Sequence, residues 1–307
     1  MFKYLPEGKL VNTKENIRFM KSPDTIREAY KNGKILEGRV VLCDKDHNLH
    51  VDLGCMSGII PREEGAIGIS EGSTRDIALI SKVNKPVCFI ITDFAFDDYG
   101  ELYALLSRKK VQEECIENYI SKLEPGDVID ARISHMEPFG VFADIGAGVN
   151  ALLPIDSISV SRIPHPNVRF FTNQDIRAIV KSRDEFGRIL LSHKELLGTW
   201  EENASKFSVG ETVPGIIRST EKYGVFVELA PNLAGLAELT EDVSPGQNTA
   251  VYIKSIIPER MKIKLIIVDC SDAVYPPQKI NYFMEDDHIS YWKYSPDASE
   301  KIIESFF

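Results

Sequence analysis

The sequence predicts a mostly-β chain of tandem five-stranded barrels with connecting helices. Three observations carry this. A long block recurs without a gap, its short runs alternate apolar and polar residues, and helix-like stretches separate the copies.

The repeat comes first. GDVIDARISHMEPFGVFADIGAGVNALLPI (Gly126–Ile155) aligns with GETVPGIIRSTEKYGVFVELAPNLAGLAEL (Gly210–Leu239). Gly126 meets Gly210, Gly140 meets Gly224, Phe142 meets Phe226, and acidic Asp144 meets acidic Glu228. A degenerate copy, GKILEGRVVLCDKDHNLHVDLGCMSGIIP (Gly33–Pro61), lies upstream, and small register shifts bring His47 and His50 over the two aromatics.

Within a copy, VIDARIS and VFADIG alternate as half-buried strands do, and DIRAIVKSRDEFGRILLS reads as strand, turn and strand. About five strands in roughly 70 residues is the strand count and size of a small Greek-key barrel, the OB-fold. LLSRKK (Leu105–Lys110) and LLSHKE (Leu190–Glu195) each close a strand and open a helix. The spacing predicts helices over 108–123 and 193–207. Ser107 suits the N-cap of the first, and Ser192 with Glu195 reads as a capping box for the second. The expected organisation is an N-terminal extension (1–32), a degenerate barrel (33–107), a helical connector (108–125), a barrel (126–192), a second connector (193–209), a third barrel (210–270) and a C-terminal segment (271–307). In that segment Pro276–Pro277 mark a break, INYFM and HISYWKY read as a hairpin around EDD, and DASEKIIESFF reads as a short helix. Its aromatics are expected to be buried against a barrel, with a protein-docking patch as the alternative.

Composition narrows the function. The 307 residues are 43% hydrophobic and 27% charged, an ordinary globular balance. The net charge of −10 argues against a binder that holds duplex nucleic acid by charge alone. It leaves room for a narrow basic groove lined with aromatics, where stacking is worth about 1–3 kcal/mol per base. No run approaches the ~20 apolar residues of a membrane span. The N-terminal MFKYLPEGKLVNTKEN has no apolar leader core and no small-residue cleavage site, which points to a cytoplasmic protein. The five cysteines form no C-x-x-C pair and read as reduced thiols. Cys43, His47, His50 and Cys55 match no standard zinc spacing, so no metal and no cofactor are expected. There is no P-loop, H-E-x-x-H or nucleophile elbow, so no catalytic residue is assigned.

The ordered pieces GDVIDARI, PFGVFADIG, ALLPI and RDEFGRILLS, with GETVPGII, KYGVFVELA and GLAEL in the next copy, resemble the RNA-binding domain named after bacterial ribosomal protein S1. The resemblance covers roughly 33–269 and is carried best by the second copy. It implies an OB-fold whose RNA face uses two aromatics, a histidine and an Asp/Arg pair. Placed on this sequence, the aromatics are Phe139 and Phe142, then Tyr223 and Phe226. The pair is Asp184 and Arg188, then Pro258 and Lys262, and the histidine position holds Pro154 and Glu238.

The residues support that placement independently. Residues three apart on a strand face opposite ways, so Phe139 and Phe142 share a face only where the chain bends. Gly140 and Gly224 would permit a bulge there, turning Val141, Ala143 and Ile145 inward and Phe142 and Asp144 outward. The competing reading makes all four aromatics core. The expected function is a non-enzymatic protein, monomeric, holding single-stranded RNA on consecutive barrels in translation or RNA metabolism. The alternative is an adaptor that docks a ribosome or an RNA-processing enzyme through its first copy and C-terminal hairpin.

Overall fold

The structure, a computed structural model, describes residues 4–240, 243–272 and 280–307. Among these residues, three five-stranded sheets each close into a barrel, as the repeat predicts. The chain divides into two compact units. One is the chain up to Leu123 together with Asp144–Asn150; the other is Glu124–Ala143 and Ala151 onward.

The first unit begins with helices α1 (Lys14–Phe19) and α2 (Pro23–Lys31). Its barrel comprises β1 (Leu36–Cys43), β2 (Leu49–Asp52), β3 (Ser57–Ile60), β4 (Pro86–Phe96) and β5 (Leu102–Ser107), with α3 (Ile77–Ile80) between β3 and β4. The sheet order is β1-β2-β3-β5-β4. Val40, Leu49, Val51, Ile60, Phe89 and Leu106 fill the interior. Helix α4 (Lys109–Asn118) follows, and its Lys110 N–H donates to Ser107 Oγ at 3.0 Å, the capping bond expected from sequence.

Asp144 departs from expectation. Alternation turns it off its strand, yet it is buried. Its carboxylate accepts N–H bonds from Glu7 at 2.7 Å, Gly146 at 2.8 Å and Gly148 at 3.0 Å, so the N-terminal segment covers it. Burial pushes its carboxyl above the ordinary range. For Glu7, burial works against ionisation, but the Arg108 guanidinium at 2.6 Å and the Lys82 ammonium at 2.8 Å hold its carboxyl well below that range.

The second unit holds two barrels. One uses β6 (Val128–Glu137), β7 (Gly140–Asp144), β8 (Asn150–Pro154), β9 (Asp175–Arg183) and β10 (Ile189–Ser192). After α5 (Trp200–Ala204), the next uses β11 (Thr212–Glu221), β12 (Gly224–Ala230), β13 (Leu233–Ala237), β14 (Asn248–Ile257) and β15 (Lys262–Ser271). In every barrel the third and fifth strands pair in parallel, closing the cylinder. Val141 and Ala143 point inward in one barrel, and Val225 and Val227 in the next, each fully buried.

Two helix details differ from the sequence reading. The second connector is not one helix: a single turn at Lys194–Leu197 stops at Gly198, whose φ is +82°. A side chain there would press into the Phe283 ring at 2.8 Å. Ser192 does not cap; its hydroxyl donates to Glu195 Oε2 at 2.6 Å. The capping box belongs to Thr199 and Glu202, which start α5.

The C-terminal segment also differs. The break at Pro276–Pro277 lies outside the described residues. Residues 280–284 form no strand, and 297–307 form no helix. Instead β16 (Tyr291–Lys293) pairs antiparallel with β17 (Glu304–Phe306). The reason is period: Ile303, Ser305 and Phe307 turn inward while Ile302, Glu304 and Phe306 stay exposed. Trp292 and Tyr294 are buried in the third barrel's core cluster. Ahead of them, Arg177 of β9 binds this segment through its backbone N–H to Tyr282 Oη at 3.0 Å and its guanidinium to the Met284 carbonyl at 2.6 Å.

Candidate nucleic-acid interface

Phe139 and Phe142 share a face for a reason the sequence reading did not give. In the third barrel no bulge lies at the matching Gly224, which pairs in register with Glu221. Phe139 sits in the hairpin turn between β6 and β7, beyond the strand, and Phe142 stands on β7. Glycine is needed because a neighbouring strand passes close: a Cβ on Gly140 would lie 2.5 Å from the Leu153 carbonyl oxygen. Gly224 is similarly placed against the Ala237 carbonyl, with φ +148°. The bulge is on the opposing strand, between Ile217 and Ser219 of β11. It makes Arg218 the extra residue and sets Ser219 directly opposite Phe226.

The two aromatic pairs have the same geometry. Phe139 stands edge-on to Phe142, with centroids 6.1 Å apart and planes at 88°. Tyr223 stands edge-on to Phe226 at 6.1 Å and 89°. Phe139 is 55% exposed and Tyr223 68%, while Phe142 and Phe226 are half-buried. None of the four lies in a core, so the core reading fails for them.

Strand register extends this face. Phe226 pairs with Leu236 on β13, and Leu236 pairs in parallel with Lys264 on β15. Leu152 and Leu190 make the matching parallel contact in the second barrel. His50, Ile59 and Leu105 form the corresponding row of the first. Lys264 is exposed in this row, a cation that motif spacing did not single out.

The Asp/Arg pair sits at the turn from β9 to β10. Asp184 Oδ1 accepts backbone N–H bonds from Phe186 at 2.9 Å and Arg188 at 2.8 Å. Its Oδ2 takes the Arg188 guanidinium at 2.7 Å. Desolvation opposes ionisation here, but these bonds and the guanidinium hold the Asp184 carboxyl below the ordinary range. Arg188 lies 5.1 Å from the Phe186 ring centroid. Phe186, unremarked in the sequence reading, is 73% exposed. In the third barrel this turn runs Pro258–Arg260 with Met261 at φ +46°, and exposed Lys262 opens β15. In Asp184's place stands Pro258, which has no carboxylate to orient the cation. Half-buried Pro154 and exposed Glu238 occupy the histidine positions.

The first barrel repeats the turn with the opposite sign. Asp97 Oδ1 accepts from Tyr99 N–H and Glu101 N–H, both at 2.9 Å. Glu101 stands where Arg188 stands, so an anion replaces the cation. His50 Nε2 lies 3.2 Å from Asp44 Oδ2, which orients it locally. Among the described residues no cluster of His, Cys, Asp or Glu could hold a metal ion.

Comparison with known proteins finds likenesses for one barrel and for most of the chain. Residues 122–194 match the S1 RNA binding domain. Small ribosomal subunit protein bS1 of Staphylococcus aureus (strain COL) is 29% identical over 279 residues, covering 85% of this chain and 68% of that protein. The bS1 of Rhizobium meliloti (strain 1021) is 25% identical over 276 residues, covering 84% and 47%. Among solved structures, a multidomain protein with nucleic acid binding domains from Streptococcus pneumoniae overlaps 80% of this chain and 76% of that one, at 13% identity and a TM-score of 0.25. The central barrel matches the S1 RNA binding domain, and the chain is similar over most of its length to small ribosomal subunit protein bS1.

Proposed function

We infer that this protein binds single-stranded RNA on its second and third barrels and serves in translation, as its ribosomal relatives' names suggest. The observation that carries the reading is the aromatic pair built twice with one geometry, on a hairpin that leaves both rings accessible. Unpaired bases stack on such rings, whereas bases inside a duplex do not reach them. Arg188 supplies a cation held in place by Asp184, and Lys262 and Lys264 supply cations in the third barrel. Such cations meet phosphate. The first barrel offers Glu101 instead and is left out of the RNA path.

The same reading makes the protein a non-enzymatic, cytoplasmic monomer that associates with the ribosome. No helix among the described residues is long and apolar enough to cross a membrane. No observation favours the adaptor reading over this one. The test is affinity for a short unpaired RNA against the same sequence in a duplex. Tighter binding of the unpaired strand is expected, and equal binding of both would refute stacking as the mode.

A further inference from the structure

We propose that the second barrel carries a base-binding slot that the other two barrels lack, with Phe142 as one wall and His135 as the other. This rests on the RNA-binding reading and goes beyond it by giving one base two stacking partners.

The rings of His135 and Phe142 are nearly parallel, at 21°, with centroids 6.4 Å apart. Bases stacked in a duplex are about 3.4 Å apart. A base with a ring on each face therefore needs about 6.8 Å between the outer rings, twice that spacing. The observed separation is within a few tenths of an ångström of that. Phe139, edge-on to Phe142, closes one side. His135 is open to solvent, with its side chain 63% exposed, and Glu137 holds its Nε2 at 2.6 Å, which fixes the ring. The Glu137 carboxylate at the rim repels phosphate, so the slot's chemistry suits a neutral nucleobase.

Register explains why the slot is confined to one barrel. In the gapless alignment His135 corresponds to Ser219, which pairs directly with Phe226. In the first barrel Leu42 pairs with His50. Serine and leucine offer no flat second wall. Among the described residues, only the second barrel sets two rings face to face across this strand pair.

The experiment measures the full chain's affinity for short unpaired RNAs carrying a single abasic site at successive positions. In the unaltered protein, one abasic position should cost affinity by about five- to a hundredfold, the equivalent of one stacked base. His135→Ser should weaken the intact RNA by at least about fivefold and shrink the penalty at that position. The double variant with Phe142→Ala should lose less than the product of the single losses, because both residues serve one base. His135 is exposed, so the melting temperature should not move. If Phe142→Ala weakens binding and His135→Ser leaves both the affinity and the abasic penalty unchanged, Phe142 is a one-faced platform and the slot is refuted. If the unaltered protein binds no unpaired RNA, the RNA-binding reading itself fails, a result distinct from loss of the slot.

Discussion

Asp184 and Arg188 hold each other twice: the carboxylate takes the Arg188 backbone N–H at 2.8 Å through one oxygen and its guanidinium at 2.7 Å through the other. The first contact closes the turn, and the second aims the charge. The same carboxylate turn recurs at Asp97 and Glu101 with no cation to aim.

Arg188→Ala should therefore flatten the salt dependence of RNA binding by about one phosphate contact. Arg188→Glu copies the first barrel's charge and should weaken binding further. Both should leave melting nearly unchanged, since the side chain is 71% exposed. Affinity measured across a salt series checks this, and an unchanged slope would remove Arg188 from the groove.

Phe142→Ala and Phe226→Ala should each weaken binding of unpaired RNA by about 1–3 kcal/mol. Their rings are half-buried, so a stability loss is expected too, but well below the ~3–5 kcal/mol of a core Phe→Ala. Val141→Ala and Val225→Ala, at fully buried positions, should lower stability by about 2 kcal/mol and leave the folded protein's affinity nearly unchanged. Thermal melts paired with binding curves separate the two classes. A Phe variant that melts as a core variant does would return the motif to packing.

His193 gives the second unit a pH dependence. Its Nδ1 lies 3.0 Å from the Ile158 carbonyl and its Nε2 3.2 Å from Tyr282 Oη, so the ring is neutral, donating to the carbonyl and accepting from the phenol. Burial, with the Arg169 charge nearby and against the carbonyl's opposing pull, takes it down to about 4. The unfolded histidine takes up its proton near 6.5, while the folded one refuses it until about 4. Stability is thus full above about 6.5 and falls as the pH drops from there to about 4, by as much as about 3 kcal/mol. Denaturation midpoints of the parent and His193→Gln across this window check it: the variant's curve should be flatter by that amount.

The repeat and its alternation made the barrels legible, because interior positions such as Val141 and Val225 must recur wherever the same cylinder closes. The aromatic pairs were legible as a surface, but not the turn that brings them together, since hairpin closure at Phe139 depends on where β6 ends. His135 and Lys264, which the proposed RNA face includes, were not singled out from the sequence. Both are placed on that face by neighbours on another strand, and pairing register is absent from a linear motif. Asp144 was misjudged because a distant segment covers it. The final strand was misjudged because Ile302, Ile303, Phe306 and Phe307 suit either period, and only pairing with Tyr291–Lys293 decides between them.

The bonds from Arg177 to Met284 join residues 107 positions apart, across the whole third barrel. At synthesis rates of roughly 5–20 residues per second, Arg177 is made about 5–20 s before its partner. During that interval the edge of the second barrel is bonded to water. A nascent chain stalled just after the third barrel thus carries a second barrel without these hydrogen bonds, and protease sensitivity at β9 becomes a clock for synthesis of the segment around Met284.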